Sequence, residues 1–490
     1  MSLRKNLISG VFYTGISKYV GVVISLIITA ILSRLLTPDD FGIVAIATVI
    51  ISFFGVISDL GIAPAIVQDK ILSKHDINNL FSFTFWLSLV ISSLFFLSAG
   101  LIGRYYDSHQ LVTICRILSL SLFFNTINTV PNALLYRNKE FKFLAKRTLL
   151  VQFITGLIAV LAAIYGAGIY ALLINPVLSA IFIYIITFRR FPQKLLTTLG
   201  LGTLKKIFSY SFYQFLFNLI NYFSRNLDKL LIGRFMGMSP LGYYEKSYRL
   251  MMLPLQNITH VITPVMHPIL SDYQDDVKYL EVAYLKIVRV MAFIGFPLSV
   301  FLHFTARELM LILFGNQWLN SVPVFEILAL TVGIQIVLST SGSIFQAAGD
   351  TKSLFISGLF SAFTNVTGIL IGIFVFKSLN AVAWCILITF SINFFQAYLQ
   401  MYKITFRLPI QSFFKVFASP LILTTLLILF FLLKTYIVQT DQLFLSLIIN
   451  TFFFLLISFS YIQMRKEFDL FMWVKEVFHK ENRSTGHHDD

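Results

Sequence analysis

Along the chain, long runs of Phe, Leu, Ile and Val are interrupted by short clusters of Lys, Arg, Asp, Gly and Pro. Fourteen such apolar runs, from 11–33 to 440–463, are each about 20 residues long. An α-helix rising about 1.5 Å per residue needs about that length to cross a hydrocarbon core of about 30 Å. The period-two alternation of a barrel strand is absent, which leaves helices as the expected spanning elements. The predicted fold class is therefore an all-α polytopic membrane protein with about 14 transmembrane helices. The seventh is expected near 207–235 and the eighth near 243–270.

Composition agrees with that pattern. Of 490 residues, 57% are hydrophobic and 12% charged, far below the roughly 25% charge of soluble domains. The first apolar run is too long for a signal-peptide core and is expected to be a retained helix. Cys115 and Cys385 fall inside predicted spans, as small apolar residues. The net charge of +15 does not call for nucleic acid. Most Lys and Arg fall in loops on one side, among them Arg137, Lys139, Lys142, Arg147, Arg189, Arg190, Lys205 and Lys206, whereas the opposite loops hold Arg34, Arg104, Arg234, Arg307, Lys377 and Lys434. Under the positive-inside rule both termini are expected in the cytoplasm.

A shift of 200 positions lays VFYTGISKYVGVVISLIITAILSRLLTPDDFG (11–42) over SFYQFLFNLINYFSRNLDKLLIGRFMGMSPLG (211–242), matching Phe12 with Phe212, Tyr13 with Tyr213, Arg34 with Arg234 and Gly42 with Gly242. Ile62 and Pro64 meet Ile262 and Pro264 further on. The register implies a duplicated six-helix unit with both copies in the same orientation. The expected organisation is an N-lobe (1–188), a basic linker (189–206), a C-lobe (207–402), two further helices (403–463) and a tail (464–490). Two parallel lobes around a midplane site are the plan of an alternating-access transporter. The short loops leave no room for a catalytic domain, and no phosphate-cradling Gly run appears. No enzyme activity is expected, and an ion gradient or the substrate's own gradient is the expected drive.

Ionisable residues inside spans normally face a bundle interior or a watery cavity. Tyr210, Gln214, Asn218, Asn221, Arg225 and Asp228 recur at intervals of three and four, one face of a helix. Lys229 borders the stripe. The stripe either lines a central cavity, with Arg225 free to take a ligand, or packs internally with Arg225 and Asp228 paired. By topology Lys18 lies about two turns above the inner surface, while Arg116 and Arg249 lie about two turns below the outer one. Together with Lys229, these bases would hand an anionic group across. Plainer readings exist for three intramembrane bases: Lys18 snorkels, Arg249 pairs with Glu245, and Lys246 pairs with Glu245 or reaches the outer surface. Asp59, at the depth of Lys18, either pairs with it or caps a break before Gly61 and Pro64.

TPDDFG (37–42), DLGIAPAIVQ (59–68), LYRNKEFK (135–142), GRFMGMSPLGYYEKSYRL (233–250) and FQAAGDTK (345–352) together resemble the polysaccharide-exporter branch of the multidrug/oligosaccharidyl-lipid/polysaccharide flippase superfamily, colanic-acid and teichuronic-acid exporters above all. That resemblance implies two lobes that open alternately and a flippase for undecaprenyl-pyrophosphate-linked oligosaccharide, in a bacterial cytoplasmic membrane. It implies as partners the polyprenyl-pyrophosphate saccharide, membrane lipids, a polysaccharide polymerase and a chain-length regulator. No cofactor is implied, with H+ or Na+ as the coupling ion where one is used. Lys18, Arg225 and Arg249 occupy places comparable to basic residues used by related members. A cation-coupled multidrug exporter, expected to have an acidic cavity, a lipid II flippase of the same fold, and a membrane glycosyltransferase or polymerase are the competing classes.

Overall fold

The computed structural model describes residues 3–58, 61–69, 71–196, 219, 222–223, 225–271, 274, 276–437 and 442–465. Among them every regular element is helical and no strand occurs. Eleven of these helices are long and apolar enough to cross a membrane, or twelve if the bent pair Asn316–Ala329 and Thr331–Ala347, angled at 44°, is one span. The expected fourteen are not reached for two reasons. Most of the span near 207–235 lies outside the described residues. The helix Met238–Ser271 is long enough at 34 residues, but Glu245, Lys246, Arg249, Gln256 and Asn257 dilute its apolar content.

Contacts divide the chain into two compact units. The first comprises Met1–Arg249, Leu313–Val324 and Ala362–Ile386. Its helices are α1 (Leu3–Leu35), α2 (Pro38–Ser58), α3 (Ile62–Gln68), α4 (Lys74–Tyr105), α5 (His109–Ile127), α6 (Thr129–Arg137), α7 (Phe141–Ile164), α8 (Ala171–Arg190), α9 (225–235) and the start of α10 (Met238–Ser271). α4 begins with a capping box in which Ser73 and Asp76 satisfy each other's backbone N–H, so an otherwise orphaned helix start is closed. α1 packs on α7, and α7 and α5 on α8.

Polar side chains fix these pairings. Thr155 on α7 and Ser179 on α8 both donate to Asn175 Oδ1, at 3.1 and 2.9 Å. Arg147, counted among the loop cations, is instead buried. It donates to Thr187 Oγ1 and Asn132 Oδ1 and so ties α7 to α8 and α6. A guanidinium with several fixed donors suits such a clamp better than a lysine would.

The second unit comprises Leu250–Ile312, Phe325–Ser361 and Leu387–Asp490. It holds the rest of α10, then α11 (Val277–Phe304), α12 (Ala306–Phe314) as far as Ile312, α13 (Val322–Ala329) from Phe325, α14 (Thr331–Leu338), α15 (Ser341–Ala347), the start of α16 (Thr351–Leu370), most of α17 (Leu379–Gln400), α18 (Gln411–Val416), α19 (Ala418–Ile437) and α20 (Leu443–Arg465). Phe293, Val300, Leu423, Leu427, Phe431 and Tyr461 form its core between α11, α19 and α20.

The FQAAGDTK motif starts α16. Asp350 Oδ1 accepts from Ser353 N (2.9 Å) and Oδ2 from Thr405 Oγ1 (2.7 Å). Partial burial acts to raise the Asp350 carboxyl pKa. The hydrogen bonds from Ser353 and Thr405 and the nearby Lys352 charge outweigh it, so the group sits below the ordinary carboxylate range. Asp350→Ala is expected to cost about 1 kcal/mol, the usual value of a helix cap, measured by thermal unfolding in detergent. A depressed folded-state pKa stabilises at neutral pH and loses that effect as the carboxylate protonates. The gap between wild type and Asp350→Asn should therefore close as pH falls through the carboxylate range.

Candidate functional site

The start of α2 is closed by Thr37. Its N–H and hydroxyl both donate to Asp40 Oδ2 (2.9 and 2.7 Å), and Asp40 N donates back to Thr37 Oγ1 (3.3 Å). The start of α10 lies against it. Ser239 Oγ donates to Asp39 Oδ1 at 3.1 Å, and these two residues are equivalents in the 200-residue register. A Cβ on Gly42 would lie 1.9 Å from Met238 O, and one on Gly242 would lie 2.0 Å from Pro38 O. The contact is reciprocal, because Gly42 matches Gly242 and Pro38 matches Met238. Only a residue without a Cβ allows such an approach, which is the physical reason for both glycines in TPDDFG and MSPLG.

α9 and α10 form a tight hairpin. Met236 N and Gly237 N both donate to Ile232 O, and Gly237 takes φ +101°. Residues equally far from Gly237 on the two helices face each other, so Lys229 Nζ meets Glu245 Oε2 at 2.8 Å. Asp228 is buried: its Oδ2 accepts from Tyr244 Oη (2.6 Å) and its Oδ1 from Lys229 N (2.8 Å). Asp228 is thus satisfied by the hairpin, and no contact with Arg225 is needed to explain its burial.

A cavity of about 330 Å³ opens beside this hairpin, between α1, α2, α8, α9 and α10. Its polar lining includes Ser25, Asn175, Asn226, Lys229, Glu245 and Arg249. Arg249 Nη2 donates to Ser25 Oγ at 3.1 Å and makes no ion pair among the described residues. Glu245 is engaged by Lys229, which resolves the open choice of its partner in the sequence. Two bases and one acid leave the lining with an excess positive charge, held by a guanidinium suited to bidentate oxyanions.

The other sequence candidates fall elsewhere. Arg225 is exposed on α9 but is not on this lining. Lys18 is half-buried on α1, and Arg116 is exposed on α5 with its guanidinium 5.3 Å from the Phe96 ring centroid. Neither lines the cavity. Asp59, Gln214, Asn218 and Asn221 lie outside the described residues.

Lys246 is buried. Its Nζ donates to Ser33 Oγ and sits 3.5 Å from the Phe41 ring centroid, 4.9 Å from Phe314 and 5.0 Å from Trp318. Aromatic faces attract a desolvated ammonium, so this lysine neither pairs with Glu245 nor reaches a surface. Sequence reasoning missed Glu245 as the partner of Lys229, and its equal spacing from Gly237 was the signal. Nothing in sequence brings Phe314 and Trp318 to Lys246.

Among the described residues the protein is all-α, with many helices fit to span a membrane and a small cationic cavity among them. The chain belongs to the polysaccharide biosynthesis protein family, whose model matches residues 31–323. It is similar to the teichuronic acid biosynthesis protein TuaB of Bacillus subtilis (strain 168), 25% identical over 438 residues that cover 86% of this chain and 88% of that protein. It is also similar to the lipopolysaccharide biosynthesis protein WzxC of Escherichia coli (strain K12), 24% identical over 378 residues that cover 76% of each. Its fold matches that of lipid II flippase MurJ in an inward closed conformation, with a TM-score of 0.72 at 15% identity, over 94% of this chain and 99% of that one. The chain therefore belongs to a family of polysaccharide biosynthesis proteins and has the fold of a lipid flippase.

Proposed function

We propose that this protein is a flippase for undecaprenyl-pyrophosphate-linked oligosaccharide repeat units, moving them from the cytoplasmic to the outer leaflet of a bacterial cytoplasmic membrane for polymerisation. The observation that carries this reading is the Arg249 guanidinium, which makes no ion pair among the described residues, in a cavity shared with the Lys229–Glu245 pair. A pyrophosphate crossing low dielectric needs fixed cationic donors to offset its desolvation. Arg249 is the first of these, and Lys229 becomes a second when the bound anion competes with Glu245.

In this reading both termini are cytoplasmic, and lobes 1–188 and 207–402 open alternately about the axis of the repeat. The reciprocal contact of Gly42 and Gly242, with Asp39 on Ser239, supports that symmetry. Asp59 and Asp228 are the coupling or gating acids, and Lys18, Arg116 and Arg225 serve the route on either side of the cavity.

Deleting the gene in its host is expected to abolish the surface polymer and to leave the saccharide-pyrophosphoryl lipid accumulated on the cytoplasmic face, seen by mass spectrometry of extracted lipids. Normal polymer with no accumulated lipid would end this reading.

A further inference from the structure

A second cavity, of about 720 Å³, lies between α2, α3, α5, α6 and α8 in the same unit. Its polar wall includes Thr48, Ser52, Ser121, Asn125, Thr129 and Asn132, and no charged or aromatic residue lines it among the described residues. Three asparagines, Asn125, Asn128 and Asn132, follow one another at intervals of three and four across the α5–α6 junction and so share one face.

Serine and threonine inside helices commonly return their hydroxyl to a carbonyl one turn back, and such residues imply no ligand. Asn125, Thr48 and Ser52 are exposed, Asn125 also donating to Ser121 Oγ at 3.2 Å. Two atoms of this wall's side chains, Asn128 Oδ1 and Thr126 Oγ1, are buried without a hydrogen-bond partner among the described residues. Leaving buried polar atoms unpaired is costly, and a greasier wall would pack at no such cost.

We propose that this cavity is the subsite for the uncharged sugar residues of the transported lipid, which rests on the reading of the protein as a lipid-linked saccharide flippase. Amide and hydroxyl side chains each donate and accept, which matches sugar hydroxyls that do the same. Among the described lining residues none is charged, which suits a neutral ring, and none is aromatic, which leaves recognition to hydrogen bonds around its edge. The position is the stronger argument. Thr48, Ser52 and Pro176 line both this cavity and the cationic one, so the two meet at a common wall. In a glycosyl pyrophosphate the first sugar is joined to the phosphate through one oxygen. A phosphate at Arg249 therefore requires a sugar pocket adjoining the cationic one, and this cavity adjoins it.

The test uses the purified full chain in detergent and native mass spectrometry with two probes: synthetic undecaprenyl pyrophosphate, and the saccharide-pyrophosphoryl lipid extracted from cells lacking the gene. Asn125→Leu and the nearly isosteric Thr129→Val are expected to weaken the sugar-bearing probe about tenfold, the value of about one lost hydrogen bond, while leaving undecaprenyl pyrophosphate unchanged. Unchanged affinity for both probes in both variants, or equal loss for both probes, overturns the sugar subsite and leaves the flippase reading standing. If the wild-type chain binds neither probe, the flippase reading falls and the subsite falls with it. Thr129→Val removes a hydroxyl without changing volume, so its result does not hinge on the folding of Asn125→Leu.

Discussion

Arg249→Ala is expected to abolish polysaccharide export while the protein stays in the membrane at its normal level. The guanidinium lines the cavity, donates only to the neutral Ser25 hydroxyl and has no acid to neutralise it among the described residues. Removing it deletes a charge-assisted donor worth about 1.5–3 kcal/mol, or roughly ten- to a hundredfold in affinity for the anionic group. Folding should suffer little, because the lost partner is one exposed hydrogen bond. Arg249→Lys keeps the charge but loses the planar fork, so partial export is expected if bidentate contact matters. Glu245→Gln leaves Lys229 without its ion pair and should tighten the hold on undecaprenyl pyrophosphate. Arg225→Ala, off the lining, should reduce export less. Wild-type export by Arg249→Ala would remove the cationic cavity from the mechanism.

Gly42→Ala is expected to be the most damaging small substitution in the first unit. The new methyl would stand 1.9 Å from Met238 O, a backbone atom that no rotamer change can move. The starts of α2 and α10 would have to separate, breaking the Asp39–Ser239 hydrogen bond as well. Overpacking of this kind costs about 1–3 kcal/mol where side chains can adjust, and a carbonyl cannot, so the upper end or beyond is expected. Gly55→Ala in the same helix meets nothing within 4 Å and should be neutral or stabilising by about 0.5–1 kcal/mol, because alanine suits a helix better. Thermal unfolding of both variants in detergent gives the comparison. Equal midpoints would mean that the seam is looser than its geometry implies.

The 200-residue register was legible in sequence because Gly42, Gly242 and their neighbours do the same physical task against each other. The face of α9 was legible in part: Lys229 reaches the cavity, while Asp228 turns into the hairpin towards Tyr244. A stripe of polar residues on one helix cannot tell which of them meets a cavity and which meets a neighbouring tyrosine. The asparagine stripe of α5 and α6 was as visible as the stripe around Arg225. Neutral amides lack the insertion cost that makes buried charges stand out, so such a stripe carries no comparable signal.

What the sequence determined by itself was the class: helices long enough to span, broken by basic loops, with two stretches matching at a 200-residue shift. Those properties are local or periodic, and each is set by the cost of exposing backbone or charge to lipid. Only the tertiary structure decided the partners. Lys246 lies against Phe41, Phe314 and Trp318, Glu245 belongs to Lys229 rather than Arg249, and Arg147 is a buried clamp rather than a loop cation. Pairings of this kind depend on how helices pack side by side. The hydrophobic effect does not discriminate between apolar faces in lipid, so the sequence pattern carries no record of which faces meet.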